Sequence, residues 1–136
     1  MAIGSTDNLI TKVLNHFFRN SSQTPAGTLY MSLFTVAPDL DGTGGTEVSA
    51  GDYGRQTIAF GSPSGSPPAV QNSGTVQFTA GASSAWGTVV AFGIHTAVTG
   101  GDMLFTEAVN PNIVVGSGTP VSFAAGEVTI GGAPDS

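Results

Sequence analysis

Glycine and proline punctuate this chain at a rate that favours short strands and turns over long helices: 20 glycines and 8 prolines among 136 residues. Glycine frees the backbone for turn conformations, and proline removes a hydrogen-bond donor. Charged residues make up only 9% of the chain, but hydrophobic ones reach 40%. That balance can bury a core and does not describe a disordered, highly charged segment. The expectation is one mainly β domain over residues 1–136, with many turns.

One segment escapes the pattern. In residues 6–20, Leu9, Ile10, Val13, Leu14, Phe17 and Phe18 recur at spacings of one, three and four, which predicts an amphipathic helix. Ser5, Thr6 or Asp7 can cap its first turn. Asp7 suits the positive end of the helix dipole and Arg19 the negative end. The apolar stripe is wide for so short a helix, so it packs either on the chain's own sheet or on a partner subunit.

From Thr28 onward the chain reads as strands. Residues 28–36 (TLYMSLFTV) alternate two apolar-rich faces. Further strands are expected at 55–60, 75–79, 88–96, 102–106, 112–115, 120–124 and 126–130, with 88–96 central because it is long and mostly apolar. A Thr99-Gly100-Gly101 turn predicts a hairpin between two of them. The spacing, roughly 8–15 residues from one strand to the next, suits a two-sheet antiparallel β-sandwich of jelly-roll type over residues 28–130. Residues 38–54 and 61–68 (GSPSGSPP) are read as loops, and 131–136 as a flexible tail.

Composition excludes several functions. Three basic residues, Lys12, Arg19 and Arg55, stand against nine acidic ones, for a net charge of -6. No basic patch can form for nucleic acid or an anionic membrane. The chain has no cysteine, which excludes disulfides, thiolate nucleophiles and Cys-ligated zinc. No apolar run is long enough to span a bilayer, and the first residues lack the pattern of a signal peptide.

Candidate chemistry is thin. Asp39, Asp41, Gly42 and Glu47 resemble an oxygen-ligand loop, but the twelfth position from Asp39 is Ala50 rather than glutamate, which departs from a calcium-binding loop. An acidic β-turn accounts for it. His95 lies within an apolar strand and reads as a core or rim histidine with a satisfied hydrogen bond; His16 lies on the helix. Pro63 stands where a nucleophile elbow needs serine. Glu107 and Glu127 are carboxylates that nothing in the sequence places together. Trp86, at the start of the long strand, can stack on a sugar or plug the end of a sandwich. The reading is no catalytic residue, no cofactor, no metal, no small-molecule substrate and no enzyme.

The order of features carries more than any one of them. Asn15-His16-Phe17-Phe18-Arg19 leads into Leu29-Tyr30-Met31-Ser32-Leu33-Phe34-Thr35, then Thr46-Glu47-Val48-Ser49 and Gly51-Asp52-Tyr53-Gly54-Arg55-Gln56. Trp86-Gly87-Thr88-Val89, Phe92-Gly93-Ile94 and the segment 121–130 (VSFAAGEVTI) follow. Across residues 9–130 this resembles a family of small proteins encoded in the virion gene clusters of tailed bacteriophages. Ala50 stands where that family usually has glycine, and Gly54 where alanine is common.

The resemblance implies a virion structural protein, made in the host cytoplasm. Family members are commonly labelled tail-fibre proteins, while similar small β-sandwich proteins serve as capsid cement or decoration proteins. Compact size and low charge favour cement on the capsid's outer surface, bridging major capsid protein subunits; tail fibre is the alternative. A homodimer or homotrimer is expected, since small domains without disulfides gain stability from partners. Aromatic and arginine anchors dominate interfaces, so the candidate interface residues are Phe17, Phe18, Arg19, Tyr53, Arg55 and Trp86. Tyr53 and Arg55 are expected to fix the long loop against a neighbour.

Overall fold

The computed structural model describes residues 4–81 and 85–131. Among these, helix α1 (Asp7–Phe18) precedes strands β1 (Leu29–Val36), β2 (Thr46–Glu47), β3 (Gln56–Ile58), β4 (Ala69–Gln71), β5 (Val76–Thr79), β6 (Gly87–His95), β7 (Met103–Val115), β8 (Pro120–Phe123) and β9 (Thr129–Gly131). Residues 132–136, read from sequence as part of a flexible tail, lie outside the described residues.

The main sheet is antiparallel and runs β2-β1-β6-β7. Strand β3 shares an edge of β1 with β2, pairing with Leu29–Met31 at one end while β2 pairs with Phe34 and Val36 at the other. On one face, Met31 and Leu33 of β1 lie beside Ile94 and Phe92 of β6, and Ile94 beside Phe105 of β7. These side chains form the floor of the core.

Ribbon β5–β8 covers that floor. Its alternation is strict: Val76, Phe78, Val121 and Phe123 are buried, while Gln77, Thr79, Pro120 and Ser122 are exposed. A two-residue period with one wet face is what a half-covered antiparallel pair requires. A second ribbon, β4–β9, pairs Val70 with Ile130. Asn72, 2% exposed, ties it in: its amide donates to the carbonyls of Gly74 and Ala124, and its side-chain oxygen accepts from the Val128 N–H at 2.9 Å.

The chain is therefore mainly β, with one helix and antiparallel sheets. The expected two-sheet sandwich of jelly-roll type is not what the strands form: beside the main sheet stand two separate two-stranded ribbons rather than one continuous second sheet. The expected strands 102–106 and 112–115 are one strand, β7, with residues 109–112 bulged between the Ala91↔Ala108 and Val89↔Ile113 pairs. Pro111 is tolerated because β7 is an edge strand, where its missing N–H breaks no ladder bond.

The opposite face of the main sheet carries Ser32, Phe34, Ala91, Gly93, His95 and Thr106. The N-terminal residues run along the outer edge of β7. Ser5 bridges to Phe105, and the Thr6 N–H donates to the Leu104 carbonyl at 3.0 Å. Thr6 is the helix cap: its hydroxyl accepts from the Leu9 N–H at 3.3 Å and donates to the Met103 carbonyl at 2.5 Å. Gly4 must be glycine there. Its φ is +92°, and a Cβ would stand 2.5 Å from the Thr106 carbonyl. The helix ends earlier than its sequence period, with Arg19 as C-cap and Asn20 in the left-handed region at φ 56°.

Gly93 sets the closeness of β1 and β6 on this face. A Cβ there would meet Ser32 Oγ at 2.8 Å, His95 Nε2 at 3.0 Å and Phe34 Cε1 at 3.1 Å. Gly93→Ala is expected to lower stability by about 1–3 kcal/mol through overpacking. Gly54→Ala, whose Cβ would meet nothing within 4 Å, serves as the control and should change little. Urea midpoints of the two variants give the comparison.

Candidate functional site

The β1 edge is interrupted between β2 and β3, and the loop joining those two short strands fills the gap with side chains. At the interruption the Leu33 N–H donates to the Tyr53 hydroxyl at 3.0 Å. That hydroxyl donates in turn to Glu47 Oε2 at 2.7 Å. Arg55 meets the same carboxylate with two bonds of 2.9 Å, Nε to Oε2 and Nη2 to Oε1. Its Nη1 also reaches across to the carbonyls of Ala97 and Gly100, each at 2.9 Å. One relay thus links the backbone of β1, both ends of the 47–55 loop and the β6–β7 hairpin.

The electrostatics follow from that geometry. Burial pushes the Glu47 carboxyl up, but hydrogen bonds from Arg55 and Tyr53 outweigh it and hold the group below the usual carboxylate range. Burial first, and the neighbouring carboxylate second, push the Tyr53 phenol up and keep it neutral. The Arg55 side chain is 10% exposed and that of Glu47 25%, so the pair is partly shielded from solvent.

Behind the clamp lies His95, 6% exposed. Its Nε2 shares a hydrogen bond of 2.7 Å with Ser32 Oγ, which also lies 3.3 Å from the Gly93 carbonyl. The ring stacks on Phe34 with centroids 6.3 Å apart. Burial, aided by the charge of Arg55, lowers the imidazole pKa to about 4. Ser32 is fully buried, and the pair braces β1 against β6.

The six sequence candidates divide into two sets. Tyr53 and Trp86 belong to the core's aromatic cluster: their rings meet edge to face at 5.4 Å, and Tyr53 stacks on Phe78 at 6.2 Å. Trp86 is 6% exposed, and its indole N–H donates to Asp52 Oδ1 at 3.0 Å. Its ring plugs the core and is closed to a stacking sugar. Arg55 makes its hydrogen bonds inside the chain. Phe17 and Phe18, by contrast, are 73% and 79% exposed, and Arg19 is exposed beside them, bonded to Asn15 Oδ1 at 3.0 Å.

The acids of the long loop serve different ends. Asp41 Oδ1 accepts from the Thr43 N–H and hydroxyl, closing an Asx turn. Glu47 is committed to Arg55. Glu107 and Glu127, unconnected in the sequence, both line a groove of about 510 Å³ between β7 and β8, where burial raises the Glu107 carboxyl.

Sequence reasoning passed over Asn72, and named Glu47 only among the acids of the long loop, not as the partner of Tyr53 and Arg55. An acid and an arginine eight positions apart, flanking a turn-rich loop with a tyrosine between them, were the available signal for Glu47. Asn72 offered none beyond its place between two apolar segments.

Removing Arg55 leaves a partly buried carboxylate without its cation. Arg55→Ala is expected to cost about 2–4 kcal/mol, and Arg55→Lys less, because the ammonium keeps the charge but not the two-pronged geometry. Urea denaturation reads both. The pH dependence has two windows. His95 has its ordinary value of 6.5 in the unfolded chain and about 4 in the fold. The unfolded state therefore takes up the proton first, so stability is full above the higher value and falls as pH drops toward the lower one, by up to roughly 3 kcal/mol. Glu47, lowered in the fold, contributes stability that is present above its unfolded pKa and lost as pH falls through its folded one. His95→Gln should flatten the first window and leave the second.

Among known families, the chain matches one over residues 4–131, described as Podophage GP4 fiber I protein gp80. No curated protein matches the chain. The match begins at Gly4, beside β7, and ends at the last residue of β9, so it takes in the main sheet, both ribbons, the helix and the clamp. The chain belongs to the family of the Podophage GP4 fiber I protein gp80, and is a structural protein of the bacteriophage particle.

Proposed function

We propose that this protein is a component of a phage tail fibre, acting as a rigid module held to its neighbours by burial of side-chain surface. The observation that carries the reading is the family match across residues 4–131. It spans the whole described fold rather than one motif, and the family's description names a fibre. The sequence had favoured capsid cement on the major capsid protein; the family description speaks for the alternative.

The structure supports a mechanical role. The core is closed on one side by ribbon β5–β8, the hairpin loop is clamped by Arg55, and large apolar side chains remain outside: Phe17, Phe18, Val36, Leu40, Val98 and Val114. A rigid scaffold with exposed anchors loses little conformational entropy on assembly. Repetition on a symmetric particle multiplies modest contacts by avidity. In this reading the partners are copies of the chain and neighbouring tail proteins, and the location is the tail.

Copy number on purified particles tests it. A fibre component should be present in a few to some tens of copies, and antibody labelling should fall on the tail alone. Particles lacking it should keep stable heads and lose adsorption to the host. A copy number approaching that of the major capsid protein, with labelling over the head and early DNA loss on heating, would establish cement instead.

A further inference from the structure

We infer that α1 is a self-association face, pairing antiparallel with the α1 of a second copy of this chain about a two-fold axis. The helix is only partly used by its own domain. Leu9, Ile10 and Val13 are half-buried, whereas Leu14 is 49%, Phe17 73% and Phe18 79% exposed. Ile10, Leu14, Phe17 and Phe18 follow at spacings of four, seven and eight, which places them on one stripe. Phe17 is held in place: the His16 ring meets it edge to face at 4.7 Å, and His16 Nδ1 accepts from the Gln23 N–H. An exposed aromatic fixed in this way is preorganised for contact.

Charge selects the occupant and its direction. Asp7, exposed, opens the helix and continues the stripe of Thr11, Leu14 and Phe18. Arg19 closes it. Of the chain's three basic residues, Lys12 sits 3.5 Å from Asp102 and Arg55 is bound to Glu47, but Arg19 meets no carboxylate among the described residues. Two such helices laid antiparallel put each Asp7 near the other's Arg19, bring Thr11 opposite Leu14, and align their dipoles favourably. A parallel pair would set like charges together at both ends. The face is thus complementary to itself, as a two-fold interface must be.

The area bounds the strength. Two phenylalanines and a leucine, given a ring burial of about 150–250 Å² each, supply roughly 400 Å² per chain, half of a standard interface. The pair should therefore be a reversible dimer, dissociating at micromolar concentrations and reinforced only where copies are held close on a particle.

Sedimentation velocity on the full chain, from about 1 to about 200 µM, tests this against the micromolar range. Wild type should pass from monomer to dimer. Phe17→Ser with Phe18→Ser should weaken the dimer at least about tenfold while circular dichroism stays unchanged, since both side chains lie outside the core. Asp7→Arg and Arg19→Asp should each weaken self-association. Their equimolar mixture should restore it, because each chain then meets its complement at both ends. A chain that stays monomeric throughout, an oligomer indifferent to the two serines, or a mixture no better than its components would each overturn the proposal.

Discussion

The Glu47 carboxylate is the fixed point of this structure. It accepts from Tyr53 and, twice, from Arg55. Through Tyr53 it satisfies a β1 N–H that the broken β2–β3 edge would leave unpaired. Through Arg55 it holds the hairpin loop between β6 and β7. A buried ion pair is poor evidence for stability on its own, because desolvation opposes the attraction. Here the pair does more than attract: it fills the gap in the β1 edge and ties the 97–100 turn to the 47–55 loop. With 9% of the chain charged, few groups were available for such a task.

The helix presents the opposite economy. Its N-terminus is pinned by Thr6 to β7 and by the Asp7 N–H to the Leu40 carbonyl at 2.8 Å. Its far end stands away from the sheet with both phenylalanines in solvent. Attachment at one end and apolar exposure at the other make a short lever with its free end in solvent. The half-buried Leu9, Ile10 and Val13 answer to the reading that packs the stripe on the chain's own sheet; the exposed Leu14, Phe17 and Phe18 are the part that the proposed second copy would cover.

What the sequence disclosed follows the range of the interactions involved. The helix, β1, β5, β6 and β8 were legible because their periods are local, and the apolar alternation of 76–79 and 120–123 survives in the structure residue by residue. The two-residue β2 and three-residue β4 carry no period to detect. The gap read between 106 and 112 is a bulge, because an edge strand forgives Pro111 where an inner strand would not. Tyr53, Arg55 and Trp86 were recognised as anchors by residue type. Their partners Glu47, Asp52 and Phe78 lie at separations of 6 to 34 residues, and only the folded chain reveals that these anchors hold the domain itself. Phe17, Phe18 and Arg19 were named as interface candidates from residue type and the width of the stripe. Whether the stripe meets the chain's own sheet is open in the sequence, and only the fold shows both phenylalanines exposed.

The edge bulge at 109–112 also governs how this molecule can meet others. Open strand edges invite further strands, and long flat ones lead to uncontrolled stacking. Along β7, residues 4–6 cover one part of the outer edge and the Pro111 bulge spoils the next. On the far side, β2 and β3 are too short to template a neighbour. The main sheet is thereby guarded at both edges against adding strands from a neighbour. Contacts between its layer and other molecules are left to side-chain surfaces, which can be finite, reversible and matched to the symmetry of a particle.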